Sequence, residues 1–177
     1  KTFYFTGSGW QDEPVLTAAM KLSELLMKIH GEHDQNEFFE HISFDSYRRV
    51  MLKKGLTTSS YGWLTRDEEK LKEAEAEPSL KERFSLGAHR SLLQLVKASQ
   101  DLTKVKNISA PVYFLSGSLD PVGDFSKGVR KAYTAYRKRA LVPVNCYFYE
   151  GMHHEILNEK GREEVYQDIL YFIRRSP

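Results

Sequence analysis

The stretch PVYFLSGSLDPVG, residues 111–123, decides how this chain is read, and CYFYEGMHHEILNE, residues 146–159, answers it. Each begins as an apolar run of strand length and ends in a loop. The first loop carries Asp120 and the second carries His154. Loops that leave the carboxyl ends of neighbouring parallel strands emerge side by side. An acid and a histidine so placed can act together. The carboxylate accepts the imidazole Nδ1–H, fixes the tautomer and stabilises the imidazolium that forms when the ring takes a proton. Alone, Asp120 would read as the turn residue that precedes Pro121. The histidine loop downstream favours the chemical reading.

Outward from these segments the pattern is strand, helix, strand, helix. Pro111–Leu115 and Val144–Tyr149 read as strands. Ser126–Arg139 reads as a helix with Val129, Ala132, Tyr133 and Tyr136 on one face. Glu163–Ile173 reads as another, with Val165, Tyr166, Ile169, Leu170 and Ile173 inward. Such alternation predicts a parallel sheet. At the other end Thr2–Thr6 is a short strand, followed by the turn Gly7-Ser8-Gly9. Those glycines mark a turn, without the spacing of a nucleophile elbow or the lysine of a phosphate loop. Between the strands the spacing predicts helices over Pro14–Ile29, Ser46–Lys54, Thr65–Glu77 and Gly87–Leu102, with Thr65 capping the third and with Leu92, Leu95, Val96 and Ser99 on one face of the fourth. The organisation is therefore a core strand and turn at 1–10, a helical insertion at 11–110 and a βαβα segment at 111–177.

Composition narrows the classes. A chain of 177 residues with 41% hydrophobic side chains, ten Tyr and ten Phe can bury one core. Its 26 basic and 24 acidic side chains leave a net charge of +2, which argues against a nucleic-acid partner. One cysteine, Cys146, excludes an intrachain disulfide and reads as a packing residue. No apolar run reaches membrane-spanning length and no signal peptide is visible, so a cytoplasmic location is expected. His30, His33 and Asp34 form a weak metal pattern on a helix end, and neither metal nor cofactor is expected. His41 and His89 show no partner pattern.

The motifs LSGSLDPVG (115–123), KGV (127–129), HEILNE (154–159) and EVYQDIL (164–170) resemble the closing segment of the α/β-hydrolase superfamily. The resemblance is to its monoacylglycerol lipase and lysophospholipase-like group. FYFTGSG (3–9) resembles the strand before that group's helical cap, and YGWLTRDEE (61–69) resembles part of the cap. The resemblance implies a serine carboxylic-ester hydrolase in which Asp120 is the triad acid and His154 the base. His153 is second choice, because the family's histidine directly precedes the Glu-Ile-Leu-Asn run; Glu155 is an alternative acid. It also implies a small ester or monoacyl lipid as substrate, and a cap that reaches toward a membrane surface. Met20, Met27, Phe38, Phe39, Met51, Leu56 and Trp63 are candidates for an acyl tunnel. The family's serine and oxyanion donors lie before the cap, and no G-x-S-x-G occurs in this sequence. The nucleophile is thus unknown, and a preceding N-terminal half with the remaining strands is expected. The alternatives are a non-catalytic hydrolase-like binding module, or a hydrolase of another bond such as a peptide or haloalkane.

Overall fold

The computed structural model describes residues 1–175. Three strands, β1 (Phe3–Thr6), β2 (Val112–Gly117) and β3 (Val144–Tyr149), form a parallel sheet in the order β1-β2-β3. Phe5 pairs with Phe114, and Phe114 with Cys146, so one side-chain row crosses all three strands. Alternation along each strand sends successive residues to opposite faces. On one face Val112 and Phe114 join Val129 and Ala132 of α6 (Lys127–Arg137), with Phe5, Cys146 and Phe148 packed around them. On the other, Leu115 and Tyr149 meet Val165 and Phe172 of α7 (Arg162–Arg175). Tyr113 stacks on Tyr4 and Phe172 with ring centroids 5.4 and 4.6 Å away. A parallel sheet covered on both faces is the expected fold class, α/β.

Between β1 and β2 lie α1 (Glu13–His30), α2 (Glu37–Ile42), α3 (Phe44–Lys53), α4 (Glu68–Ala76) and α5 (Leu86–Ser99). Pro14 in the first turn of α1 costs no hydrogen bond, and Gly31 ends the helix at φ 90°. α1 lies along α5.

Several local expectations change. α2 has only six residues, too few for their periodicity to declare a helix. Thr65 does not cap α4; Asp67 does, accepting from the Glu69 and Lys70 N–H groups, while Thr65 is buried against another segment. In α7, Val165, Ile169 and Phe172 form the buried stripe, and Tyr166, Leu170 and Ile173 lie one step round the helix and are exposed. In α5 the inward stripe runs through Leu86, His89, Leu93 and Val96, leaving Leu92 and Leu95 exposed. Both helices have broad apolar surfaces, and the pattern alone does not choose the inward edge. No helix among the described residues is long and apolar enough to cross a membrane.

Candidate active site

The ladder between β2 and β3 continues past the sheet. Ser118 donates its N–H to the Tyr149 carbonyl at 2.9 Å, and Leu119 to the Met152 carbonyl at 3.0 Å. Gly151 N–H donates to the Ser118 hydroxyl at 2.8 Å. A Cβ on Gly117 would come within 2.2 Å of the Met152 and His153 carbonyl oxygens, so only glycine lets the loops close together. This zipper brings Asp120 and His154 together.

Asp120 is fully buried, and both its oxygens lie 3.1 Å from His154 Nδ1. Its Oδ1 also accepts the Val122 N–H at 2.8 Å. The Asp120 carbonyl accepts from Phe125 N–H at 2.8 Å, at the middle of three residues with positive φ: Asp124 (48°), Phe125 (50°) and Ser126 (75°). Consecutive non-glycine residues in the left-handed region are costly and persist where surrounding contacts hold them. Ionised carboxylate only accepts, so beside it Nδ1 carries the proton and Nε2 presents a lone pair.

The His154 ring sits between two walls. Trp63 covers one side with ring centroids 5.4 Å apart. Gly7, at φ 56°, forms the other; a Cβ there would lie 2.9 Å from Cε1 and 3.2 Å from Nε2. The Gly7-Ser8-Gly9 turn thus gives the imidazole a backbone surface to rest on. The Ser8 hydroxyl is buried and has no hydrogen-bond partner among the described residues.

His153 is also buried but points elsewhere, donating Nδ1–H to the Gly62 carbonyl at 2.6 Å. Burial pushes its pKa below the ordinary histidine value, against the pull of its hydrogen bond to Gly62. Glu155 precedes the 3₁₀ turn Ile156–Asn158 and accepts from the Asn158 amide, away from the imidazole. His33 is exposed beside Glu32, and no group of three or more His, Cys, Asp or Glu side chains among the described residues is arranged to hold a metal ion. His89, which showed no sequence pattern, is buried with Nε2 3.1 Å from Glu40, ringed by Phe39, Phe44 and Phe84. Cys146, on β3, packs against the cluster under α6, and burial pushes its thiol up to about 11.

Residues 62–66 form a strap over the histidine loop. The Trp63 carbonyl accepts from His154 N–H at 3.3 Å, and the Leu64 carbonyl from Glu155 N–H at 2.8 Å. The Thr65 hydroxyl lies 3.0 Å from the Asn158 carbonyl and 3.2 Å from Glu159 Oε1. The Arg66 N–H donates to the same Oε1 at 2.9 Å, and Arg66 Nε lies 3.4 Å away at ion-pair distance without hydrogen-bond alignment. Trp63 leads on to Tyr47, whose ring centroid is 5.7 Å away. Burial, and then the Asp120 charge, push the Tyr47 phenol up. Tyr47 stands at the wall of a cavity of about 600 Å³ between the helices, lined by Leu16, Ala19, Phe39, Leu93 and Val96 among others. Of the seven side chains expected to form a tunnel, only Phe39 lines this cavity. Met51 is in the core, Phe38 is exposed and Trp63 abuts the imidazole. The cavity is lined instead by residues of α1 and α5 together with α2 and α3.

The sequence model of the family described as serine aminopeptidase, S33, matches residues 15–161. No curated protein matches the chain. Among solved structures, the open form of a lipase superposes with a TM-score of 0.75 at 21% identity, covering 98% of this chain and 56% of that one. A thermostable carboxyl esterase from Bacillus coagulans, in complex with glycerol, gives 0.75 at 18%, covering 97% and 55%. A monoacylglycerol lipase from Paleococcus ferrophilus gives 0.58 at 15%, covering 97% and 57%. At these identities the likeness is one of fold, and the chain spans a little over half the length of each structure.

Proposed function

We propose that this chain, which belongs to the serine aminopeptidase, S33, family of hydrolases, is the cap and acid–histidine portion of a carboxylic-ester hydrolase acting on monoacyl lipids or small esters. The observation that carries this reading is the buried Asp120 carboxylate at 3.1 Å from His154 Nδ1, with Nε2 left as the free base. In the proposed reaction Nε2 takes the proton of a serine hydroxyl as its oxygen bonds to the ester carbonyl carbon. The imidazolium, held by Asp120, passes that proton to the departing alcohol as the carbon–oxygen bond breaks. Water repeats the sequence on the acyl-enzyme, and the acid leaves.

The sequence has no G-x-S-x-G, and the structures it resembles are nearly twice as long. The serine, the oxyanion donors and further strands are therefore proposed to come from a segment outside these 177 residues. The helical insert at 11–110 is read as a cap, and its cavity as the space for an acyl chain. Exposed Leu25, Ile29 and Phe38 on the insert would face a lipid surface. A lone, half-buried cysteine suits a reducing cytoplasm.

The test uses the full-length protein with p-nitrophenyl esters and 1-monoacylglycerols. Hydrolysis is expected, reduced roughly 10⁴-fold in Asp120→Asn, whose amide no longer holds the required tautomer. A second reading rests on the family's description, which names an aminopeptidase. Cleavage of aminoacyl anilides with no ester turnover would replace the first reading by that one.

A further inference from the structure

The most constrained acidic side chain of the molecule takes no part in the chemistry proposed above. Glu159 has no solvent exposure. A buried carboxylate is tolerated only where donors satisfy it. Oε1 receives the Arg66 N–H at 2.9 Å and the Lys160 N–H at 2.8 Å, with the Thr65 hydroxyl at 3.2 Å. Oε2 receives the His153 N–H at 2.9 Å. One oxygen therefore holds the strap, and the other holds the residue directly before His154. The strap returns to the same loop through Gly62, Trp63 and Leu64, and Trp63 is also the wall against the imidazole.

We propose that Glu159 is a positioning residue for His154: its two oxygens join the strap at 65–66 to the His153 amide, and so set the direction of the imidazole beneath Trp63. The joint is short and has little slack. His153 N–H is one peptide unit from the His154 backbone, so a shift there turns the ring relative to Asp120. The two contacts on His154 that face the insert, its N–H to the Trp63 carbonyl and its ring to the Trp63 indole, depend on the same strap. A displacement of the strap would thereby reach the base through Glu159.

Substitution Glu159→Gln keeps shape and volume. It places an NH₂ group where an oxygen had accepted, so that a donor faces either the His153 N–H or the strap. Thr65→Val removes the hydroxyl, with its contacts to Glu159 Oε1, the Asn158 carbonyl and the Asp67 N–H, and keeps the carboxylate and its three backbone donors, so it is the second probe if the first variant folds poorly. The proposal rests on the reading of His154 as base, and the experiment separates the two. In the full-length protein with ¹⁵N-labelled histidine, the downfield His154 Nδ1–H resonance of the Asp120 hydrogen bond is recorded alongside ester turnover. We expect Glu159→Gln to broaden or shift that resonance and to lower kcat about tenfold with KM nearly unchanged. Thr65→Val should move both in the same direction by less. Loss of thermal stability in both variants, with resonance and kcat unchanged, would make Glu159 a structural tie only and overturn the proposal. If the wild-type protein turns over no ester while the resonance still responds to Glu159→Gln, the positioning role stands and the ester reading fails.

Discussion

His154 and His153 are neighbours in sequence with the same side chain, and their surroundings divide them. His154 faces a carboxylate and keeps one nitrogen free, whereas His153 is buried with Nδ1–H on a carbonyl. Burial lowers the folded-state pKa of His153 below the ordinary value near about 6.5. Between that lowered value and about 6.5, the unfolded chain binds a proton that the folded chain does not. Stability is therefore fully present above this window and falls as pH drops through it. His89 is shifted in the same direction by burial and adds to the fall. The nearby charges on His153, from Glu159, Arg66 and Asp120, partly offset one another. His153→Asn keeps a donor for Gly62 without a titrating ring. Its melting temperature should fall less than wild type between about pH 7.5 and pH 5.5, as measured by thermal unfolding. An equal fall would show that His153 does not contribute. The pairing of Asp120 with His154 was legible in sequence, because each follows a strand at a loop. Glu159 lay in the HEILNE motif, but the two donors that tie it to the strap, Thr65 and Arg66, are more than ninety positions away.

At the scale of elements, close approach of the two loops sets the site. Gly117→Ala would force a Cβ to within 2.2 Å of two backbone carbonyl oxygens. Backbone cannot step aside as a flexible side chain can. We expect a loss of at least about 2 kcal/mol, measured by urea unfolding. A loss within experimental error would mean that the β2–β3 loops reseat easily. The helical insert makes a separate prediction through its cavity. Ala19 lines that space on α1, so Ala19→Phe would fill part of it. The ratio of turnover on long-chain to short-chain esters should fall about tenfold, the size expected when a buried alkyl segment loses its pocket. An unchanged ratio would place the acyl chain elsewhere. The helices were legible where periodicity ran long, as in α1. They were not legible in α2, nor in which edge of α5 and α7 faces inward, because an apolar surface wider than one stripe leaves that choice to its packing partners.

Across the whole molecule, a three-stranded sheet is covered by α6 and α7, while β1 and β3 each pair on one side only among the described residues. Phe3 on β1, Tyr147 on β3 and the Tyr166, Leu170 and Ile173 row of α7 are exposed. Such surfaces suit further strands and helices of the same fold. On the proposed reading, the 177-residue chain expressed alone should hydrolyse no short-chain p-nitrophenyl ester, and the full-length protein should. Ester hydrolysis by the chain alone that disappears in His154→Ala would show that a nucleophile within it suffices.

The sequence by itself determined the three strands, the long helices, the parallel α/β class, and the two loops that carry Asp120 and His154. These are local properties: strand-length apolar runs, helical spacing, and glycine or proline at turns. Only the tertiary structure decided which helix edges are buried, that Thr65 serves the histidine loop instead of capping α4, that Gly7 and Trp63 wall the imidazole, and that Glu159 joins strap to loop. Each of these depends on contacts between residues far apart in the chain, where hydrogen-bond satisfaction and close packing, not local preference, select the partner.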